Sequence, residues 1–465
     1  MKRNTLILVT LIVLASIIMA ACGATPTATP VPPTPVPPTA TKAPVPPTAV
    51  PPTAVPPTAV PPTATKAAVP PTNTPAPTAT IPAVEAKAGV ITIWHNETGE
   101  QVKALEAAVA DYQKANPNVK VVFSLVTNLG DALKVAIPAK KGPDVILWAV
   151  DYIGTNALAG NIVDLSKYGV DKAYLTANFE PAAVNGVVWK NMIWGLPTLQ
   201  EGIAFVYNKD LVADKYLPKD PLNFTDLLAK ATAFATDNPG KFLLCNQGLG
   251  NPDPYHAAPI YFGFGVPGYV DDAGKAYLNT PEALKATKWM VDFSKVAPKE
   301  TSHEICKTNL VDKKVGAWWT GPWAIADLEK AGIKYGILPL GKPFVGIKAA
   351  LLSANAVDRG NADEAVKFMK WYSGAEAQKK ITLANKTIPA NTKVLKDPEV
   401  QALGTIPLFG AALNLGIPMA NTPYADAQWG PVGDATTAIW TGKQTPEQAL
   451  KAAQDAIDLK IKDMK

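Results

Sequence analysis

Five short stretches of the chain set an aromatic ring beside polar side chains. They are Trp94-His95-Asn96, Trp148-Ala149-Val150-Asp151-Tyr152, Asp253-Pro254-Tyr255, Trp318-Trp319-Thr320-Gly321-Pro322-Trp323 and Gln428-Trp429. The chain holds 11 Trp but only 3 His, a balance that suits stacking better than acid–base or metal chemistry. Flat apolar rings flanked by carboxylates and amides fit a polyhydroxylated ring. The C–H face of a pyranose stacks on the indole, and its hydroxyls take directed acceptors and donors. Any one Trp is at home in a core. Five aromatic–polar clusters in loops are harder to assign to packing together.

Other chemistries find less support. Asp151, Glu201 and Asp253 supply enough carboxylates for a glycoside hydrolase, which needs two flanking one bond, so that alternative stays open here. A sugar chemoreceptor would share the same cleft, and a stalked adhesin is the reading without a ligand. His95, His256 and His303 are dispersed and show no H-x-x-x-H spacing, so no metal is expected. His256, beside Tyr255, is read as a surface or structural histidine. No G-x-x-x-x-G-K-[ST] sequence is present, and no nucleotide or other cofactor is expected. Three Cys exclude a disulfide-framework scaffold. Cys245 and Cys306 are either a disulfide or two buried thiols.

Positioning such loops requires a rigid scaffold, and the hydropathy pattern describes one. Val90 to Trp94 is a short β-branched strand. Val102, Leu105, Val109 and Tyr112 then recur at helical spacing until Pro117 stops the run. Val119 to Val126 and Asp144 to Trp148 return to strand, as do Ile203 to Tyr207 and Phe242 to Leu244. Thr280 to Ser294 and Asn361 to Tyr372 read as helices, the second capped by Asn361. The last helix begins Thr445-Pro446-Glu447-Gln448, a capping box with Pro at its first position. The alternation predicts an open, mainly parallel α/β sheet, whose ligands bind beyond the carboxyl ends of the strands.

The N-terminal region has a different composition. Among residues 24–83, 21 of 60 are Pro and the only charges are Lys42 and Lys66, so nothing there fills a core. No acid precedes Glu85. Setting aside Lys2, Arg3, Lys42 and Lys66 leaves 40 basic and 39 acidic residues, so the body is near neutral and nucleic acid is not an expected partner. A body of about 380 residues exceeds one compact core and predicts two lobes. Lys2 and Arg3 precede an apolar run from Leu6 to Ala21, which is short for a membrane span. It ends in Met19-Ala20-Ala21-Cys22-Gly23, which resembles a bacterial lipobox. That likeness implies removal of residues 1–21, lipid on Cys22 and an extracytoplasmic body. Residues 22–84, with Val-Pro-Pro-Thr-Ala repeating from Val45, are expected to be an extended Pro/Thr-rich stalk.

Gly142-Pro143-Asp144-Val145-Ile146-Leu147-Trp148-Ala149-Val150-Asp151 resembles a stretch of the maltose/maltodextrin-binding proteins, the extracytoplasmic receptors of ABC sugar importers. Leu196-Pro197 leading to Glu201, then Tyr207-Asn208-Lys209-Asp210-Leu211, Thr320-Gly321-Pro322-Trp323 and Lys342-Pro343-Phe344-Val345-Gly346 are similar to further family segments in the same order. Asp397-Pro398 and Gln444 to Leu450 also match, so the likeness covers about residues 88 to 465. It implies ligand-binding roles for Asn96, Trp148, Asp151, Tyr152, Glu201, Asp253, Tyr255, Trp323 and Trp429. Tyr152 stands where the family has Arg, which removes a forked donor and bears on the preferred sugar or its length. The loop after Asn96 continues Glu97-Thr98-Gly99-Glu100, leaving the family's lysine there without a counterpart.

The likeness also implies a periplasmic-binding-protein-like fold of two α/β lobes around a cleft. Crossing segments are expected near Leu199 to Gly202, Val345 to Ala350 and Asp397 to Gln401. The N-terminal lobe would comprise residues 85–199 and 350–396, and the C-terminal lobe residues 203–344 and 402–465. The implied molecule is a monomeric receptor, not an enzyme. It takes maltose or related oligosaccharides by hinge closure and delivers them to a membrane permease.

Overall fold

The computed structural model describes residue 82 and residues 89–464. The signal segment, Cys22 and the repeat region from Val45 lie outside the described residues. Thirteen strands are formed in chain order: β1 (Val90–His95), β2 (Lys120–Leu125), β3 (Val145–Ala149), β4 (Val188–Trp189), β5 (Met192–Ile193), β6 (Leu196–Glu201), β7 (Ala204–Asn208), β8 (Phe242–Cys245), β9 (Val315–Thr320), β10 (Tyr335–Leu338), β11 (Phe344–Leu352), β12 (Ile388–Pro389) and β13 (Ile417–Pro418). Two sheets organise the body. The first runs β12-β6-β11-β3-β1-β2, with β13 paired to β11, and the second runs β10-β7-β9-β8. β4 and β5 form a separate hairpin.

Each sheet has its own core, which makes two lobes. Ile91, Ile93, Trp94, Val145, Ile146 and Leu351 belong to the core around the first sheet. Phe205, Leu243, Leu244, Ala317 and Trp319 belong to one around the second. Every residue of β1 and β9 is buried, as expected for strands covered on both faces. A third cluster joins the second sheet to Ile388, Val394, Val400, Ile406 and Phe409.

The sheets are mixed rather than mainly parallel. β1 runs parallel to β2 and β3, and β8 to β9, as their intervening helices dictate. β11 instead lies antiparallel to both β3 and β6. It enters the first sheet after the chain has built the second. No right-handed helical crossover therefore fixes its direction. Two of the three expected crossing segments fall on β6 and β11, where Gly346 pairs opposite Glu201, and the third, Asp397 to Gln401, falls on the helix Pro398–Gln401.

Local chemistry sets the element ends. The helix Gln101–Ala115 buries Leu105, Ala108, Val109 and Tyr112 on one stripe. In the final helix, Pro446–Met464, the Gln448 amide donates to Thr445 Oγ1 and Gln448 Oε1 accepts from the Thr445 amide, both at 3.3 Å. Asn361 precedes the helix Ala362–Tyr372 but does not cap it with its side chain. Its side-chain amide donates to the Val90 carbonyl at 3.0 Å, which ties the start of the helix to β1.

Asp144 explains part of the Gly-Pro-Asp stretch. The side chain is fully buried, accepts from the Thr92 amide at 2.8 Å, and pairs with Arg359 at 2.8 Å. Arg359 is the only arginine besides Arg3. Its fork satisfies the carboxylate where a point charge would not. Cys245 and Cys306 are joined by a disulfide with Cα atoms 5.5 Å apart, tying the end of β8 to the helix His303–Val311.

Candidate functional site

Strand order reverses between β1 and β3, because β1 is followed in sequence by β2 on one side and β3 on the other. Loops leaving the carboxyl ends of those strands therefore diverge and open a crevice. A cleft of about 350 Å³ lies there. From the first lobe it receives Asn96 and Glu97 after β1, and Asp151 and Tyr152 after β3. From the second it receives Tyr255 and His256 at the start of the helix Pro254–Gly263, His303, Trp323 after β9, and Trp429. Glu201 and Lys348 enter from the two crossing strands, β6 and β11.

Backbone geometry aims several of these groups. A single 3-10 turn, Val150–Tyr152, swings Asp151 out of β3. A Cβ at Gly321 would lie 2.2 Å from the Trp323 ring, so only glycine lets that indole fold back over its own loop. Gly99 has φ +76°, and a Cβ there would meet Asp327 at 3.0 Å. Glycine therefore lets the Glu100 amide donate to Asp327 Oδ1 of the other lobe at 3.1 Å. Tyr255, Phe344 and Trp429 form a continuous aromatic wall, with Phe344 centroids 6.0 and 5.8 Å from the other two.

The cleft is rich in polar atoms that lack partners. Asn96 Oδ1, Asp151 Oδ1, the Tyr255 hydroxyl and His256 Nε2 are buried without a hydrogen bond. Such atoms are costly unless something else satisfies them. Burial pushes the Asp151 carboxyl up to about 7, and nearby Asp426 and Glu201 add to it. The Trp429 indole lies near enough to favour its charged form, yet makes no directed hydrogen bond to it. Burial likewise raises Glu201, against the opposing charge of Lys348. Lys348 stays charged despite its burial because Glu201 and Glu97 both face it. Its ammonium hydrogen-bonds Glu97 and lies 4.0 Å from Glu201 Oε2.

Seven of the nine expected ligand residues line the cleft: Asn96, Asp151, Tyr152, Glu201, Tyr255, Trp323 and Trp429. Trp148 and Asp253 do not. Trp148 is 7% exposed and belongs to the first core. Its ring stacks behind Tyr152 at 3.7 Å, so Tyr152 presents the face and Trp148 backs it. Asp253 caps its helix and accepts from Gln247 Nε2 at 2.9 Å and the His256 amide at 3.2 Å. His256 Nδ1 lies 2.7 Å from Asp253 Oδ2, close enough for charge attraction but off the axis of a directed hydrogen bond. Burial would raise the Asp253 carboxyl, but His256 and these donors hold it down at about 2. The imidazole, expected to be structural or on the surface, lines the cleft and is held against Asp253.

Glu97, Lys348 and His303 also line the cleft with no such expectation from the sequence, and so does His256, whose sequence reading favours a structural or surface place over a ligand contact. Lys348 left a signal, being the one charge inside the apolar run Phe344–Leu352. His303 left none, since only the fold brings its helix to the cleft. Among the described residues no group of three or more His, Cys, Asp or Glu is arranged to hold a metal. Gly263-Phe264-Gly265-Val266-Pro267-Gly268 has the bare spacing of a dinucleotide fingerprint. It leaves a helix end instead of joining a strand to a helix, so it forms no phosphate cradle.

Residues 107–407 match the protein family described as bacterial extracellular solute-binding protein. A maltotriose-binding protein of Pyrococcus abyssi is 30% identical over 370 residues, spanning 76% of this chain and 78% of that one. A galactooligosaccharide-binding protein of Bacillus subtilis is 27% identical, spanning 81% and 90%. A maltooligosaccharide ABC transporter solute-binding lipoprotein of Streptococcus pneumoniae is 25% identical, spanning 77% and 86%. Among solved structures, a maltose/maltodextrin-binding domain from Bdellovibrio bacteriovorus bound to maltotriose superposes with a TM-score of 0.73 at 21% identity. It covers 80% of this chain and all of that one, and shares the two-lobe fold.

Proposed function

Because the chain belongs to the bacterial extracellular solute-binding proteins, we propose that it captures maltodextrin-type oligosaccharides for an ABC importer. The observation that carries this reading is the pairing of aromatic faces with partnerless buried polar atoms around one cleft. Tyr152, Trp323 and Trp429 offer stacking surface, and Asp151, Glu201, Asn96 and Tyr255 offer directed acceptors and donors. The volume lies at the lower end of the range of about 300–1,000 Å³ usual for small-molecule sites, which suits a few sugar rings. The maltotriose- and maltooligosaccharide-binding relatives support the α-glucan choice.

Sugar touching both lobes stabilises a closed form through contacts an open form lacks, and a membrane permease recognises that closed form. The N-terminal lobe comprises residues 85–199 and 350–396, and the C-terminal lobe residues 203–344 and 402–465. Lipid on Cys22 holds the receptor at the membrane, with residues 22–84 as its stalk. The naming of a similar streptococcal protein as a lipoprotein supports that anchor. The body performs no catalysis, its carboxylates serving as hydroxyl acceptors. Calorimetric titration with maltose, maltotriose, a galactooligosaccharide and cellobiose tests the reading. Saturable binding of the α-glucans supports it, saturation only by the galactooligosaccharide moves the substrate, and release of reducing ends overturns it in favour of a hydrolase.

A further inference from the structure

Lys348 stands in an unusual place for a lysine. It occupies the middle of β11, a nine-residue strand whose other members are apolar or glycine, between Ala149 of β3 and Leu199 of β6. Its side chain lines the cleft. One of its three donors is taken by Glu97. Glu201 also faces the cleft, and its carboxylate makes no hydrogen bond among the described residues. Glu201 Oε2 and Lys348 Nζ are 4.0 Å apart, too far for a direct hydrogen bond.

That gap has a chemical use. An oxygen about 2.8 Å from each atom fits between them, provided it both donates and accepts. A hydroxyl does this, donating to the carboxylate and accepting from the ammonium. A carboxylate or phosphate oxygen accepts only and would meet Glu201 unpaired. Glu97, Asp151 and Glu201 against one lysine repel an anion as well.

We propose that Lys348 and Glu201 form a two-sided clamp on one hydroxyl of a neutral sugar. The clamp rests on the reading of the protein as an oligosaccharide receptor. It makes Lys348 a specificity-determining contact for a hydroxyl, while Glu201, Glu97 and Asp151 reject uronates and sugar phosphates. Its attachment to β11 also couples sugar contact to the strand that joins the lobes.

The test is a set of titrations of maltotriose into the full chain by calorimetry, with Lys348→Met, Glu201→Gln, Glu97→Gln and their pairs. Thermal denaturation checks that each variant folds. Lys348→Met and Glu201→Gln should each weaken binding about tenfold or more, and together little more than the worse single change, because both act on one hydroxyl. Lys348→Met should still cost about tenfold in the Glu97→Gln background. A lysine that merely holds Glu97 would be silent there, which would overturn the clamp. Unchanged affinity in Lys348→Met with strong wild-type binding overturns the clamp and leaves the receptor reading intact. A folded wild-type chain that binds no sugar overturns both. A maltotriose-derived uronic acid binding as tightly as maltotriose overturns the claimed rejection of anions.

Discussion

Asp151→Asn separates the cost of the cleft from its use. Asp151 is 2% exposed, one of its oxygens lacks a partner, and burial lifts its carboxyl from 3.8 to about 7. That shift corresponds to about 4 kcal/mol at roughly 1.4 kcal/mol per unit. The folded value lies above the unfolded one, so the folded chain holds the proton more tightly. Stability of the sugar-free protein therefore falls as pH rises from about 4 to about 7, and the penalty is complete above that. Asparagine carries no charge to bury, so the sugar-free variant should be more stable than wild type at pH 8, with about 4 kcal/mol as the ceiling. At pH 4 and below the two should be alike. Binding should move the other way. A sugar hydroxyl donating to the carboxylate favours its charged form, so wild-type affinity rises through pH 7 and binding releases a proton. Loss of a charged hydrogen bond of about 1.5–3 kcal/mol should weaken the variant roughly 10- to 150-fold at pH 8. Thermal denaturation at pH 4 and 8, with calorimetry of maltotriose in buffers of different ionisation enthalpy, measures both. A variant no more stable at pH 8, with wild-type affinity flat from about pH 5.5 to 8.5, would mean that Asp151 is neither strained by burial nor used by the sugar.

Arg359→Ala strands the buried Asp144 carboxylate and should destabilise the protein by about 3–5 kcal/mol in chemical denaturation. Adding Asp144→Asn should recover part of that loss, and no recovery would mean the arginine acts by packing. Replacing Cys245 and Cys306 by Ser removes a cross-link across 61 residues, which the chain-entropy estimate puts at about 4 kcal/mol. A denaturation midpoint insensitive to both the substitution and reductant would contradict it. Asp253→Asn and His256→Phe should each weaken sugar binding by about tenfold, and the double change by little more, since one acts through the other. Additive losses by calorimetry would instead mean that Asp253 touches sugar itself.

The elements closest to one another in sequence were the most legible. β1, the helix after it and β2 follow from an apolar run, a 3.6-residue stripe and Pro117, all local signals. The capping box at Thr445 was equally readable because its two bonds span three residues. Direction of β11 was not, since nothing within the strand records that the chain returns from another sheet. The same distinction runs through the cleft. Asp151 and Trp323 were visible from their motifs. Trp148 carries the same motif signal, yet its ring turns toward the core behind Tyr152. Asp253 reads as a direct contact, but the fold engages its carboxylate with Gln247 and His256, and of these three only His256 lines the cleft. Lys348 and Glu97 meet across 251 residues, a pairing that no local pattern carries.

On the proposed function, the partnerless polar atoms and aromatic faces of this cleft hold an oligosaccharide. Intrinsic tryptophan fluorescence titrated with maltotriose tests it most directly, because Trp323 and Trp429 line the site. A saturable change with micromolar affinity, about −8 kcal/mol, is expected, and it should be lost in Trp323→Ala. A folded protein whose fluorescence and calorimetric heats stay flat across α-glucans and galactooligosaccharides would contradict it.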